Sequence, residues 1–301
     1  MTGAARFVDR LSARGSYAGT DALAYDAWMP PGTRFPDDAV HADVVRRAEG
    51  PSLELGTGNG RFLIPLVEEG LAVEGIDRSA DMLDRCRRHA AARGLDMVLH
   101  HGDVAPLALG RRYAALVCPA GSFSLLDDEA RARRALASYR DHLVPGGTLA
   151  VTMSRPGPGD TTGFTWRLRR TGTGDDGTTY VVHEATGDDT EPGVRLTYNR
   201  IEVYDADGRL IDTVLRKHRL RWWPQDRLAA ALVEAGFAEV SNVGDERGWV
   251  ALARTPESGP ARRRRRPARS PSAHSTERTS AVAATAPSAV RRWFHAVQRR
   301  R

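Results

Sequence analysis

Three glycines at alternate positions, Gly56, Gly58 and Gly60, follow the apolar stretch Leu53-Glu54-Leu55. Such spacing clears side chains from one turn, lets the backbone approach a ligand and admits φ > 0. The run Arg61 to Val67 reads as a helix packed on a sheet and closed by Gly70. Its N-terminus would face the loop, which favours an anionic group. Leu71 to Ile76 reads as a second strand ending in Asp77. An acid at that tip is where nucleotide-binding α/β folds hold a ribose, since two carboxylate oxygens accept from two hydroxyls. Capping the next helix is its other reading. Asp103, after the short strand Met97-Val98-Leu99, can accept from an exocyclic amino group while the Val104 N–H donates to a ring nitrogen. Its plainer reading is a turn acid.

The spacing Glu54-x-Gly56-x-Gly58-x-Gly60 differs from the dinucleotide pattern G-x-G-x-x-G. It resembles motif I of the class I S-adenosylmethionine (SAM) methyltransferases. Gly75-Ile76-Asp77-Arg78-Ser79-Ala80-Asp81-Met82-Leu83 resembles their second motif. His101-Gly102-Asp103-Val104 is similar to the third, and Leu143-Val144-Pro145-Gly146-Gly147-Thr148-Leu149 to the turn before their fifth strand. The four occur in order between Leu53 and Met153. The resemblance implies an α/β fold with a Rossmann-like, doubly wound, seven-stranded sheet. It also implies SAM held by Glu54, Gly56, Thr57, Gly58, Asn59, Gly60, Asp77, Arg78, Met82, Asp103, Val104 and Pro119. Met82 would lie on an adenine face or pack in the core at helical spacing; both readings stay open. The implied reaction is methyl transfer to an O, N or C atom of a small-molecule acceptor.

Tyr113 to Cys118 reads as the fourth strand, ending in Pro119-Ala120-Gly121-Ser122-Phe123. Open α/β folds bind ligands at this carboxyl edge. Many methyltransferases acting on nucleic-acid or protein amide nitrogens carry Asn/Asp-Pro-Pro-Tyr/Phe here. Its absence argues against methylation of a base amino group. Tyr17, Tyr25 and Ser122 are the candidate acceptor contacts, and His183 is the candidate general base.

Around these residues the chain divides into an N-terminal lid segment (1–36, broken by Pro30, Pro31 and Pro36), a domain over 37–255, and a tail over 256–301. A helix is expected from Asp37 or Asp38, with Val40, Val44 and Ala48 on its stripe. Another follows Ser79 with Met82, Leu83 and Cys86. A third spans Asp127 to Leu143, with Ala132, Leu136 and Tyr139 inward and Arg131, Arg133 and Arg134 on a solvated face. Ser154 to Gly163 reads as a loop. Period-two runs at Thr179–Glu184, Val194–Tyr204 and Leu210–Trp222 predict three antiparallel strands, with Asp205-Ala206-Asp207-Gly208 as a hairpin turn. They form a β lid insertion over about 160–222, which in the resembling family covers the active site and sometimes makes a homodimer contact. A last helix would bury Leu228, Leu232 and Val233 before Gly236, and Trp249–Ala253 would be the last strand.

The chain has 301 residues, 41% of them hydrophobic and 27% charged, which suits one globular domain with appendages. The net charge of +6 misleads: residues 256–301 hold twelve arginines and two glutamates, so residues 1–255 sit at −4. The Arg-rich tail is too polar for a core and is expected to be disordered, apart from a short basic amphipathic helix over Ser288–Arg301 able to touch anionic partners. A nucleic-acid (RNA) methyltransferase recruited by that tail is one alternative, and a non-catalytic SAM-binding protein is another. Cys86 and Cys118 read as buried hydrophobes in a reducing cytoplasm, with no metal-ligand spacing around them. No apolar run is long enough to span a membrane, and Met1 to Gly15 lacks a signal core.

Overall fold

The computed structural model describes residues 17–154, 165–245 and 248–257. From Tyr17 the chain runs into helix α1 (Thr20–Trp28), then α2 (Asp38–Arg47). The core then alternates: β1 (Ser52–Leu55), α3 (Leu63–Glu68), β2 (Val73–Asp77), α4 (Ala80–Ala91), β3 (Leu99–His101), β4 (Tyr113–Cys118), a 3-10 turn (Ser122–Leu125), α5 (Glu129–Asp141) and β5 (Leu143–Ser154). Four strands follow: β6 (Arg167–Thr173), β7 (Thr179–Asp188), β8 (Val194–Tyr204) and β9 (Leu210–Arg221). Helix α6 (Gln225–Glu234), β10 (Glu239–Asp245) and β11 (Gly248–Arg254) close the fold.

Seven strands form one sheet in the order β10-β11-β5-β4-β1-β2-β3. β1 to β5 are parallel, while β11 runs antiparallel to β5 and to β10. All four residues of β1 are buried, as expected for a strand covered on both faces. One face packs Leu53, Leu55, Leu116 and Leu149 against Leu136 of α5 and Leu228 of α6. The other packs Val117, Ala150 and Val250 against Val45 of α2, Ile64 of α3 and Cys86 of α4. β6 to β9 form a separate antiparallel sheet. Tyr180, Val182, Ile201 and Val203 on one of its faces pack on Ala24, so α1 lies against it.

Several expectations need correction. Helix α1 lies in the segment read only as mixed: it buries Asp21 and Asp26 beside Ala22 and Ala24, so its inner face carries no apolar stripe. Those acids are tolerated because each has a partner. In α2 the buried residues are His41, Ala42 and Val45, with Val40 and Val44 only partly covered and Ala48 past the last turn. Val233 is exposed, and Ala231 takes the place predicted for it in the core. The lid has a fourth strand, β6, whose polar composition and bulge near Leu168 suit an edge strand. The seven-stranded sheet is completed by β10, which was not foreseen alongside the Trp249–Ala253 strand. Arg131 and Arg133 are not a plain solvated face: they pair with Asp103 and Glu234. The expected loop at Ser154–Gly163 beyond its first residue, the first sixteen residues of the lid segment, and the tail from residue 258 with its Ser288–Arg301 helix lie outside the described residues.

Candidate functional site

The glycine turn joins β1 to α3 at the carboxyl edge of the sheet, between β4 and β2. Gly56, Gly58 and Gly60 have φ of 74°, 57° and 85°, a region that side chains rarely adopt. A Cβ on Gly60 would lie 2.7 Å from Cys86 Sγ, so that glycine lets α4 pack under the turn. A Cβ on Gly56 would meet Ser122 at 3.2 Å, and one on Gly58 would meet Met82 Cε at 3.3 Å. The turn, the start of α4 and the turn after β4 therefore converge on one small region.

The loop does not offer its N–H groups as an anion cradle. Gly56 and Thr57 donate to Ile76 O, Gly60 donates to Thr57 O, and Gly58 donates to Asp77 Oδ2 at 2.9 Å. The Arg61 N–H goes to Asn59 Oδ1. Helix α3 is also only six residues long. The expected anionic site at its N-terminus thus gives way to a loop whose role is to fix Asp77. The second oxygen of Asp77, Oδ1, accepts from Ser79 N at 2.8 Å. Each carboxylate oxygen thus has a backbone donor, and the Arg78 N–H also faces the carboxylate. Burial raises the Asp77 pKa, and the N–H groups of Ser79 and Gly58 oppose that shift. Ser79 caps α4 by accepting from Met82 N, and Met82 is buried against Gly58. Arg78 is exposed.

Beneath the loop, Glu54 is fully enclosed and accepts from Thr57 Oγ1 at 2.8 Å. Burial pushes its carboxyl up to about 8. At the rim, Asp103 accepts from Ala105 N at 2.9 Å and pairs with Arg131 at 2.6 Å. That is the turn-acid geometry, and it leaves Asp103 half exposed. Val104 is partly buried, packed against the α5 side of the core.

Asn59 is not open to a ligand. Its Nδ2 donates at 2.8 Å to both Asp26 Oδ1 and Met29 O, which ties α1 to the loop. Arg61 does the same for the next segment, with two bonds to Asp38, one to Thr33 O and its guanidinium 4.4 Å over the Phe35 ring. These struts hold the lid on the site. At its leading end, the Tyr17 carbonyl accepts from Ser79 Oγ at 2.5 Å and the Gly19 N–H donates to Asp81. Tyr17 and Tyr25 meet edge to face with centroids 5.6 Å apart. Burial and the nearby Asp77 raise the pKa of both phenols.

The turn after β4 is held from below. Asp37 Oδ2 accepts from Ala120 N at 2.8 Å and from Thr152 Oγ1 at 2.6 Å, and Thr152 in turn meets His41 Nε2 at 2.6 Å. Ala120 has φ of 59°, and the Pro119 carbonyl accepts from Ser122. Pro119 and Ser122 are thus brought to the glycine turn, together with Tyr17, Tyr25, Asp77 and Met82.

His183 is not brought there. Strand alternation puts it opposite Arg200 on the face away from Tyr180 and Val182. The histidine beside the lid tyrosines is His218, whose ring centroid is 5.6 Å from that of Tyr17. Sequence reasoning missed His218, Asp21, Asp26 and Arg216. The signal available was weak: Arg216 and His218 share the parity of Val214 and Leu220 in a strand that is polar on both faces.

The strand order, the switch-point turn and the acid after β2 are similar to those of the class I SAM-dependent methyltransferases. Residues 53–147 match the family described as methyltransferase domain. A stretch of 140 residues is 34% identical to dTDP-3-amino-3,6-dideoxy-alpha-D-glucopyranose N,N-dimethyltransferase of Streptomyces fradiae, covering 45% of this chain and 53% of the relative. The chain thus spans about half the length of the curated relatives it matches. Among solved structures, the CcbJ methyltransferase from Streptomyces caelestis is similar with a TM-score of 0.60 and 26% identity, over 77% of this chain and 94% of that one. The sugar N-methyltransferase KedS8 from Streptoalloteichus shares the fold, with a TM-score of 0.64 and 24% identity over 82% and 97% of the two chains. Among the described residues no cluster of side chains is arranged to hold a metal ion, and no helix is long and apolar enough to cross a membrane.

Proposed function

We propose that the chain transfers the methyl group of SAM to a nitrogen atom of a small-molecule acceptor. The observation that carries this is Asp77: its carboxylate is clamped by the loop and the cap of α4, with both oxygens held at the glycine turn. Those two oxygens suit the two ribose hydroxyls of an adenosyl ligand. With no Cβ at Gly56 and Gly58, the side chains of Ser122 and Met82 close directly on the turn beside that acid. The N–H of Val104 and the free lone pairs of Asp103 serve the adenine edge, while Glu54, Thr57 and Gly60 shape the loop from below. Asn59 supports the site through α1 rather than by touching the ligand. When bound, SAM supplies an electrophilic methyl on a sulfonium sulfur.

The chain's own contribution is placement and exclusion of water. The lid tyrosines and the Pro119–Ser122 turn enclose the acceptor side, and holding two reactants in line supplies about 7–11 kcal/mol in favourable cases. Nitrogen is chosen over oxygen or carbon because the Streptomyces fradiae relative is an N,N-dimethyltransferase. Residues 37–255 make up the methyltransferase domain, with residues 165–222 inserted as the acceptor lid. The two buried free cysteines suit a cytoplasmic enzyme, and a lid-to-lid homodimer is the expected assembly.

Calorimetric titration of SAM into the full-length chain tests the reading. The wild type should bind, and Asp77→Ala should raise Kd at least tenfold, the loss of about two hydrogen bonds at ~1 kcal/mol each. No binding by the wild type, or equal binding by the variant, refutes the assignment. Mass spectrometry of amine acceptors incubated with methyl-labelled SAM then identifies the acceptor atom.

A further inference from the structure

The face of the antiparallel sheet that packs on α1 carries polar groups its own packing leaves unused. The β8–β9 ladder sets Asn199 opposite Arg216 and Thr197 opposite His218. The register is unbroken from Val194 to Val203, so these four side chains share a face with Ile201 and Val214, next to Ala24. Thr197, Arg216 and His218 are each less than one-tenth exposed. Three atoms of the patch, Asn199 Oδ1, Arg216 Nε and His218 Nδ1, find no hydrogen-bond partner among the described residues. An orphaned buried polar atom costs about 1–3 kcal/mol, so three on adjoining positions are an expensive way to build a plain core. The patch adjoins the cofactor side: the Tyr17 ring lies tilted beside His218, and the Tyr17 carbonyl accepts from Ser79, two residues beyond Asp77.

The chemistry of the patch narrows what fits it. Arg216 Nε stands 3.7 Å from Asp21 Oδ2, too long for a hydrogen bond but close enough to balance its charge. Burial holds His218 below the usual histidine range, so its ring is neutral near pH 7 and keeps one nitrogen as an acceptor. The surface is therefore close to neutral, with donors (Thr197, Arg216) interleaved with acceptors (Asn199, His218) and an aromatic ring at its side. An anionic ligand would face Asp21; an apolar one would leave the orphan atoms unmet. A ring bearing several hydroxyls meets both demands, because each hydroxyl donates and accepts.

We propose that this patch is the acceptor subsite and that Thr197, Asn199, Arg216 and His218 recognise the hydroxyls of a hydroxylated ring, away from the amine that is methylated. The inference rests on the reading of the chain as a small-molecule methyltransferase. It assigns acceptor selectivity to the lid sheet rather than to the Pro119–Ser122 turn.

Binding to the full-length chain, measured by calorimetry with S-adenosylhomocysteine present, tests it. The probes are dTDP-3-amino-3,6-dideoxy-α-D-glucopyranose and dTDP alone, which lacks the ring. Asn199→Leu and His218→Phe should each weaken the sugar nucleotide about tenfold, one buried hydrogen bond's worth, and leave dTDP and S-adenosylhomocysteine within twofold. Thr197→Val, which keeps the side-chain volume, should weaken it threefold or more and serves if the larger changes unfold the chain. Sugar-nucleotide affinity within twofold of wild type in the folded variants overturns the proposal, as does an equal loss for dTDP or a wild type that binds S-adenosylhomocysteine but no sugar. A wild type that does not bind S-adenosylhomocysteine overturns the methyltransferase reading itself, a separate outcome.

Discussion

Asn59→Ala separates a residue that supports the lid from one that touches a ligand. Asn59 is completely enclosed, and its Nδ2 donates at 2.8 Å to Asp26 Oδ1 and at 2.8 Å to Met29 O. A hydrogen bond to a charged group contributes about 1.5–3 kcal/mol and a neutral one about 0.5–1.5 kcal/mol. Asp26 keeps His89 at 2.6 Å and Arg85 at 3.2 Å, so its charge is not stranded and the larger penalty of an unpaired buried ion does not apply. The docking of α1 should therefore weaken by roughly 2–4 kcal/mol. Hydrogen exchange followed by mass spectrometry reads this directly. Peptides covering Thr20–Trp28 should exchange about 30- to 1,000-fold faster, while peptides from β4 and β5 stay as in the wild type. Exchange in α1 within threefold of wild type, or loosening spread equally over the central sheet, would show that Asn59 is not the strut the geometry makes it.

Glu54→Gln should flatten part of the pH dependence of stability. The folded value of about 8 lies above the unfolded 4.5, so the folded chain holds an extra proton between them and stability falls as pH rises through that range. His41, pushed down to about 4 by burial, acts in the opposite sense: its contribution is lost as pH falls from 6.5 towards 4. Urea unfolding of wild type and variant at pH 5.5 and pH 8 isolates Glu54, the variant gaining relative to wild type at the higher pH; parallel curves refute the assignment. Gly60→Ala should cost roughly 2–4 kcal/mol in the same assay, from the left-handed backbone together with overpacking against Cys86 and Ile64. Gly94→Ala, at φ of 66° with open space around it, should cost only about 1 kcal/mol; equal effects contradict the packing argument. Burial pushes the thiols of Cys86 and Cys118 up to about 12, so iodoacetamide at pH 8 should label neither in the native chain and both once it is unfolded. Rapid native labelling would mean that the two core faces open.

The central sheet was legible because its signals are local. β1, β2, β4 and β11 are short apolar runs, unlike the polar β10, and Asp77 sits at a strand end whose position in the sheet follows from chain order. The site's lid was not legible, because its signals are relational. Asp21 and Asp26 look like surface residues of a weak helix until Arg216, Asn59 and His89 are placed beside them. Asn59 and Arg61 sit in a loop where a ligand contact is the natural expectation, and only the path of residues 26–38 shows that they are occupied. The choice between His183 and His218 depends on which parity of a period-two strand faces α1. Periodicity supplies the alternation but not which face is covered. Val233 failed for a similar reason: two adjacent apolar residues on one helix do not say which of them the sheet covers.

The antiparallel sheet is one unbroken run of chain that hydrogen bonds as its own ladder, separate from the seven-stranded sheet. Its polar seams with the rest of the molecule include Arg216 against Asp21, and Arg219 and Arg221 against Asp127. It is therefore a transplantable cassette. Exchanging residues 165–222 for the equivalent stretch of another protein of this fold, with Asp21 and Asp127 matched to the incoming arginines, would on the proposed function change the acceptor while leaving the glycine turn and Asp77 in place.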